Sequence, residues 1–241
     1  MFKNLANKLF SSFGYQISKV ETIEDKIKKG HYRWLQQFGV ETILDVGANV
    51  GKFALMMNKI LDNKNIYCFE PLKDCFEQLV NNTKHIDSIQ CFNIGLGRNN
   101  KTVTIYHNEF SPSSSLLEMS TLHKQAFPYT KNSVEEEVKI ASLDEMQDEL
   151  ELKKKVLLKI DVQGYELEVL KGANDLINHV DLIIVETSFA ELYKNQPLYD
   201  DIYQYLVAKS FRYIGNFGQF TNPETGEILQ GDSIFLKGNN I

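Results

Sequence analysis

The chain has 241 residues, of which 43% are hydrophobic and 24% charged, a composition that suits one ordinary globular domain with at most an appendage. Its formal net charge of −6 argues against the broad basic surface of a DNA- or RNA-binding protein, so we expect no nucleic-acid partner. No apolar run approaches the roughly 20 residues of a membrane span. Three cysteines, an odd number without a CxxC pair, favour a reducing, cytoplasmic location.

An amphipathic segment opens the chain. Apolar residues recur at helical spacing over residues 2–10, which predicts a helix that packs on the domain or mediates self-association with a partner subunit. Weak contact with a membrane surface is the alternative. A second helix is predicted over residues 23–38. We therefore expect a helical extension over residues 1–39, followed by a single domain over residues 40–241.

Strands and helices then alternate along the chain. ETILDVG is typical of a short buried strand, KFALMMNKIL of a helix, NIYCFE of a second strand, LKDCFEQLVNNT of a second helix and IQCFNIG of a third strand. This alternation predicts an α/β fold with a doubly wound, mostly parallel sheet and right-handed crossovers. It breaks over residues 98–141, where a β-rich run and a serine-rich loop predict an inserted hairpin near one end of the sheet.

The alternation resumes after the insertion. Ser142 and Glu145 have the spacing of a helix capping box. The strand KVLLKID, the helix YELEVLKG, the strand VDLIIVET, a helix around residues 198–209 and the strand FRYIG follow in order. GDSIFLKG is then predicted to be the closing strand of a hairpin.

A glycine-rich turn, DVGANVG, follows the first strand, where open α/β sheets bind their ligands. From Gly47 the chain reads G-A-N-V-G-K, which matches neither the dinucleotide pattern G-x-G-x-x-G nor a P-loop. The turn suits a cofactor without a pyrophosphate, such as S-adenosylmethionine. Asp45 would then order the loop or face the cofactor's ammonium group. A purely structural glycine turn is the alternative.

The ends of the second and third strands supply further candidate cofactor contacts. Glu70 ends the second strand, where a carboxylate can accept hydrogen bonds from both ribose hydroxyls. A helix-dipole role for Glu70, ahead of Pro71 at a first helical position, is compatible with this. Asn93 and Ile94 end the third strand and would lie beside an adenine, unless they form only a turn.

Several motifs together resemble one family. DVGANVGKF, FEP, NIGLG, SPSSSL, ASLDEM, KIDVQGYELEVLKGA and IIVETSF occur in the order seen in FkbM-type methyltransferases, and the resemblance covers roughly residues 40–237. It implies a class I methyltransferase (Rossmann-like) fold, with a seven-stranded sheet and an antiparallel last strand. It also implies methyl transfer from S-adenosylmethionine to a hydroxyl of a sugar, glycan or natural product. The family usually has K-I-D-V-E-G, whereas this chain has Gln163 at the glutamate position.

The expected cofactor site combines the glycine turn with the strand ends. Its predicted members are Asp45, Gly47, Asn49, Val50, Gly51, Phe53, Glu70, Pro71, Asn93, Ile94 and Asp161.

Asp161 and Glu186 end the strands VLLKID and IIVET, where cofactor and acceptor are expected to meet. Asp161 can bind the cofactor's ammonium, orient the acceptor hydroxyl or help to deprotonate it. The two carboxylates could also hold a divalent cation that lowers the pKa of the hydroxyl, but we prefer the metal-free interpretation. His107 is a further candidate base, although a solvated histidine is the simpler interpretation.

The inserted segment is expected to shape specificity for a small-molecule or glycan acceptor. Ser113, Ser114 and Ser115 could bind its hydroxyls together with Gln163 and Tyr165, although a serine-rich loop is often only a flexible connection. Rival functions are a nucleotide-cofactor oxidoreductase, which the glycine spacing opposes, a methyltransferase for protein or nucleic acid, and a non-catalytic binding protein of the same fold.

Overall fold

The computed structural model describes residues 21–62, 64–108, 114–120, 133–222 and 225–238. The described residues up to Gln37 belong to one compact unit, and those from Phe38 onward belong to a second. Helix α1 (Ile23–Lys28) lies in the first unit, and helix α2 (Arg33–Phe38) ends where the second begins. The amphipathic helix predicted over residues 2–10 lies outside the described residues, and the domain boundary after residue 39 stays a prediction.

The single helix predicted over residues 23–38 is divided in two, so that prediction is wrong. Thr22 caps α1 through a reciprocal pair of bonds with Asp25. Gly30 then adopts a φ of +77°, a left-handed conformation that is typical of a helix end. The glycine stop therefore outweighs the helical pattern that continues across it.

The second unit contains most of the secondary structure. Its strands are β1 (Thr42–Val46), β2 (Asn65–Phe69), β3 (Ile89–Phe92), β4 (Gly95–Leu96), β5 (Lys101–Asn108), β6 (Ser133–Ala141), β7 (Val156–Ile160), β8 (Val180–Ser188), β9 (Phe211–Thr221) and β10 (Ile228–Lys237). Its helices are α3 (Lys52–Ile60), α4 (Lys73–Thr83), α5 (Leu143–Met146), α6 (Glu166–Lys171) and α7 (Tyr199–Ala208), and Gln147–Glu149 and Leu176–His179 form 3₁₀ turns.

The main sheet has seven strands in the order β3-β2-β1-β7-β8-β10-β9. Neighbouring strands are parallel except around β10, which runs antiparallel to both β8 and β9. This arrangement confirms the predicted doubly wound sheet with an antiparallel last strand. The strand order reverses between β1 and β7, so their carboxyl ends form the topological switch point at which such sheets bind ligands.

The inserted region contributes β5 and β6 to a second sheet, in which β4, just before the insertion, completes the order β4-β6-β5. β5 and β6 pair antiparallel. The connection between them lies partly outside the described residues, so the predicted hairpin stays a prediction. Ile105 and Ile140 of this sheet pack against Leu72, which directly precedes α4. Ser142 and Glu145 form the predicted capping box at the start of α5. The second sheet is thereby fixed beside the carboxyl end of β2.

The core lies on both faces of the central strands. All five residues of β1 and of β7 are buried, which explains why these strands are nearly continuous apolar runs in the sequence. Leu44, Leu158 and Ile183 pack with Leu170 of α6 in one apolar cluster. Within the described ranges, no helix combines the length and the apolar character that crossing a bilayer requires.

Candidate active site

A cavity of about 690 Å³ opens at the carboxyl ends of β1, β2, β7 and β8. This volume is typical of a small-molecule site. The predicted site residues that line it are Gly47, Asn49, Phe53, Glu70, Pro71, Ser114, Asp161, Gln163 and Glu186. Residues of β9 and β10 complete the wall on the side of β8, and these were not predicted from the sequence. The switch point of the sheet therefore brings the two halves of the predicted site together.

The glycine turn is held close to both neighbouring strands. Gly47 has a φ of +78°, and a Cβ atom there would lie 1.9 Å from the carbonyl oxygen of Asp161. Its amide donates to the carbonyl of Phe69 at 3.1 Å, and the Asp161 amide donates to Val46 at 3.0 Å. Only glycine fits this position, both for its backbone conformation and for the close approach of β7.

Glu70 ties the glycine turn to the segment that precedes α4. Its Oε2 accepts the amide of Asn49 at 2.8 Å, and its Oε1 accepts the amide of Leu72 at 2.9 Å. Burial raises the pKa of this carboxyl to about 7, although the two backbone donors act in the opposite direction. A carboxylate has about four acceptor positions, so Glu70 can take further hydrogen bonds from a ligand in the cavity.

A buried lysine, Lys159, belongs to the cavity wall and was not predicted as a site residue. Its Nζ lies 3.2 Å from Oδ1 of Asp45 and 3.5 Å from Oδ2 of Asp161, and it donates to the carbonyl of Gly47 at 3.2 Å. Burial alone would lower the pKa of Lys159, but the two carboxylates outweigh it and hold the pKa above its ordinary value. Asp45 is fully buried and contacts Lys159 rather than the cavity.

The sequence contains a signal for this ion pair. Lys159 interrupts the otherwise apolar run VLLKI, and a charge inside a buried strand requires a partner. The partner could not be identified from the pattern, because Asp45 faces Lys159 only through the pairing register of β1 and β7.

Gln163 bridges the two candidate catalytic carboxyl groups. Its Nε2 donates to Oδ1 of Asp161 and to Oε2 of Glu186, each at 2.8 Å, and its Oε1 accepts the hydroxyl of Tyr193 at 2.9 Å. Ser115 donates to the backbone carbonyl of Gln163 at 2.5 Å. Burial, followed by the neighbouring Asp161, raises the pKa of Glu186 well above its ordinary value. The amide therefore supplies donors where two acidic groups converge.

Several other predicted site residues have structural contacts. Asn93 donates to the carbonyl oxygens of Glu70 and Pro71, each at 3.0 Å, and the Tyr165 hydroxyl accepts the ammonium of Lys101 at 2.9 Å. Gly51 caps the start of α3.

Seven predicted site residues within the described ranges are not part of the cavity lining, and their assigned roles stay predictions: Asp45, Val50, Gly51, Asn93, Ile94, Ser115 and Tyr165. Ser113 lies outside the described residues. His107 pairs through its backbone with Val134, and its side chain is outside the described part of the chain. The described ranges hold no group of three His, Cys, Asp or Glu side chains arranged around a metal ion.

Comparisons with known proteins identify the family. The chain matches the methyltransferase FkbM domain over residues 45–213, which is well over half of its length. The hexuronic acid methyltransferase AglP of Haloferax volcanii is 30% identical over 147 residues, a match that covers 61% of this chain and 55% of that protein. The 2-O-methyltransferase NoeI of Sinorhizobium fredii is 24% identical over 161 residues, covering 64% and 66% of the two chains.

These matches span between about half and two thirds of the two relatives. Among solved structures, the magnesium protoporphyrin IX methyltransferase of Synechocystis with bound S-adenosylmethionine superposes with a TM-score of 0.44 at 11% identity, covering 98% of this chain and 97% of that one. The extent of the domain match is the decisive finding. The chain belongs to the FkbM methyltransferase family and carries an S-adenosylmethionine-dependent methyltransferase domain.

Proposed function

We propose that the chain transfers a methyl group from S-adenosylmethionine to a hydroxyl group of a sugar or glycan. The observation that carries this proposal is the cavity, whose lining joins Gly47 and Glu70 to Asp161, Gln163 and Glu186. The printed names of the hexuronic acid and 2-O-methyltransferases among its relatives support the acceptor class.

The Gly47 turn and Glu70 fit the cofactor. The Gly47 turn exposes backbone groups without a side chain, Glu70 offers acceptor positions for ribose hydroxyls, and Phe69 and Leu96 add apolar surface. Bound S-adenosylmethionine supplies a methyl group on a positively charged sulfur, which is strongly electrophilic. Because the cofactor brings this reactivity, the protein's main task is to place an acceptor oxygen in line with the methyl group.

Asp161 and Glu186 position the acceptor. Lys159 and Gln163 hold the Asp161 carboxylate from two sides. The carboxylate can therefore receive a hydrogen bond from the hydroxyl of the sugar and fix its orientation. A carboxylate is a weak base for an alcohol, and orientation rather than prior deprotonation is its main contribution. Glu186, whose raised pKa favours the protonated form, can donate a hydrogen bond to a neighbouring sugar oxygen.

A methyl-transfer screen of the full chain tests this function. Sugar nucleotides and glycan fragments would be incubated with labelled S-adenosylmethionine, with and without EDTA, and the products would be read by mass spectrometry. We expect O-methylation that survives EDTA and is lost, by about 100-fold or more, in Asp161→Asn. Asp148→Asn, at an exposed position, is the matched control.

Two results would contradict parts of the proposal. Activity that disappears with EDTA and returns with Mg²⁺ would show that a divalent cation acts at the site. Cofactor binding without transfer to any saccharide would support the rival functions, a binding protein or a methyltransferase for another acceptor.

A further inference from the structure

The β9–β10 wall of the cavity, formed by Phe217, Gln219, Phe220, Gln230 and Asp232, has no role in the function proposed so far. We infer that this wall is the acceptor subsite and that it takes a neutral, hydroxyl-rich sugar ring rather than a uronate. In this arrangement Asp232 binds sugar hydroxyls and Phe220 packs on the face of the ring. The inference rests on the proposed function, since it names the acceptor of the same cavity.

The sheet order places this wall on the acceptor side. β10 pairs with β8, whereas β2, which carries Glu70 at its end, lies on the far side of β1 and β7. Asp232 of β10 faces Glu186 of β8 in the pairing register. A molecule on the β9–β10 wall would therefore lie next to Glu186 and across β1 and β7 from Glu70.

Asp232 presents an uncommitted carboxylate to the cavity. Among the described residues, no hydrogen bond or ion pair engages it, and burial raises its pKa. A Cβ atom at Gly218 would lie 2.8 Å from its Oδ2, so the glycine provides the room that this oxygen occupies. A largely buried carboxylate is costly without partners, and two neighbouring sugar hydroxyls are suitable donors.

Aromatic rings next to this carboxylate complete a surface that suits sugars. Phe220 lines the cavity, and 47% of its surface is exposed. The rings of Phe217 and Phe53 are arranged edge to face, with their centroids 6.4 Å apart. A pyranose ring has an apolar C–H face and a polar rim. Ring surfaces beside a few polar groups bind such a molecule through its face and its hydroxyls at once.

The charges of the cavity distinguish a neutral sugar from a uronate. The lining contributed by described residues of β9 and β10 contains no lysine or arginine. Lys159 attracts Asp232 electrostatically, but its ammonium is already held by Asp45 and Asp161. Lys52 lies at the start of α3, beside the glycine turn. A uronate carboxylate on this wall would lie close to the Asp232 carboxylate, and no cation of the wall would pair with it. The repulsion between the two like charges would make its binding unfavourable.

The test compares a neutral hexopyranoside with the hexuronoside that has the same aglycone. Two measurements are made on the full chain: methyl-transfer kinetics, and calorimetric binding of each sugar to the protein saturated with S-adenosylhomocysteine. Binding does not require turnover, so it separates the acceptor subsite from the transfer reaction. We expect the neutral sugar to bind more tightly and to have the higher kcat/KM.

The variants locate the subsite. We expect Asp232→Asn and Phe220→Ala each to raise the Kd and KM for the neutral sugar by about tenfold, with kcat changed little. Gly218→Ala displaces the Asp232 carboxylate without changing its charge and should have a similar effect. Phe189→Ala is the matched control, since Phe189 is 44% exposed and lies outside the cavity lining.

The outcomes separate this inference from the proposed function. Sugar binding that depends on Asp232 without methyl transfer would refute the function and leave the subsite standing. Methylation with an unchanged KM in Asp232→Asn and Gly218→Ala would overturn the subsite and leave the function standing. A hexuronoside or an amino sugar that binds as well as the neutral sugar, or the absence of any sugar binding, would also overturn the inference.

Discussion

Gln163 illustrates how one residue can organise an acidic site. Its amide nitrogen donates one hydrogen bond to a carboxyl oxygen of Asp161 and one to a carboxyl oxygen of Glu186, each at 2.8 Å. Tyr193 donates to the amide oxygen, which fixes the orientation of the amide. The backbone of Gln163 is held at a φ of +54°, an uncommon conformation for a residue with a side chain. We propose from these contacts that Gln163 positions the two carboxyl groups; the substrate contact expected from the sequence stays a prediction.

Gln163→Glu tests this role. The variant places three carboxyl groups together and removes both donors, so we expect methyl transfer near neutral pH to fall by about tenfold or more. Lowering the pH protonates one of the three groups and restores a donor, so the activity optimum of the variant should move to lower pH. The measurement is kcat against pH, and Gln78→Glu, at an exposed position, is the control. An optimum that does not move would contradict the positioning role.

For single site residues, the sequence predicts which residues lie at the site better than it predicts which side chains they contact. The sequence predicts Asp161 and Glu186 at strand ends and hence at the cavity, which both line. Asp161 does follow β7, whereas β8 continues beyond Glu186 to Ser188. The bridging amide and the pair of Asp45 with Lys159 depend on side-chain direction and strand register, which periodicity does not specify.

The strand–turn–helix from β7 to α6 contains a buried carboxyl group, that of Glu166. Glu166 accepts the amides of Val162 at 3.1 Å and Gly164 at 3.0 Å, and thus closes the turn that carries Gln163. Burial raises the pKa of Glu166 from 4.5 to about 7, because it outweighs the backbone donors that favour the charged form. The turn therefore includes an ionisable group whose protonation differs between the folded and unfolded chain.

This difference makes stability depend on pH in a defined direction. Between 4.5 and about 7 the folded state binds more protons at Glu166 than the unfolded state does, so the free energy of unfolding falls as the pH rises through this window. We expect Glu166→Gln to flatten that dependence in urea unfolding between about pH 5 and pH 7. Glu168→Gln on the same helix, where Glu168 pairs with Lys171, is the control. A slope equal to that of the unchanged chain would contradict the assignment.

The sequence predicts where α6 ends but not why it ends there. The sequence indicates that α6 ends at Gly172, and the helix does end there. The glycine is needed because a Cβ atom would lie 1.9 Å from the carbonyl oxygen of Gly97, a contact between segments far apart in the chain. Similarly, FRYIG predicts the start of β9, but the strand continues along the cavity to Thr221. Its pairing with β10 contains register shifts, which an alternation of apolar and polar residues does not predict.

For the molecule as a whole, the order of motifs predicts the sheet and the location of its site. Alternating strands and helices require a parallel sheet, and the carboxyl ends of its central strands must then share one edge. The closing hairpin was predicted only as an antiparallel end of the sheet. Its contribution of a cavity wall follows from the position of β10 beside β8, which becomes visible only when the strands are assembled.

The central claim is that the cavity between the Gly47 turn and Glu70 binds S-adenosylmethionine. Calorimetric titration of the full chain with this cofactor tests it most directly, using Glu70→Ala as the site variant and Glu77→Ala, at an exposed position, as the control. We expect saturable binding to the unchanged chain and to the control, with an affinity about tenfold or more lower in Glu70→Ala. No binding at millimolar cofactor, or equal affinity in Glu70→Ala, would contradict the account.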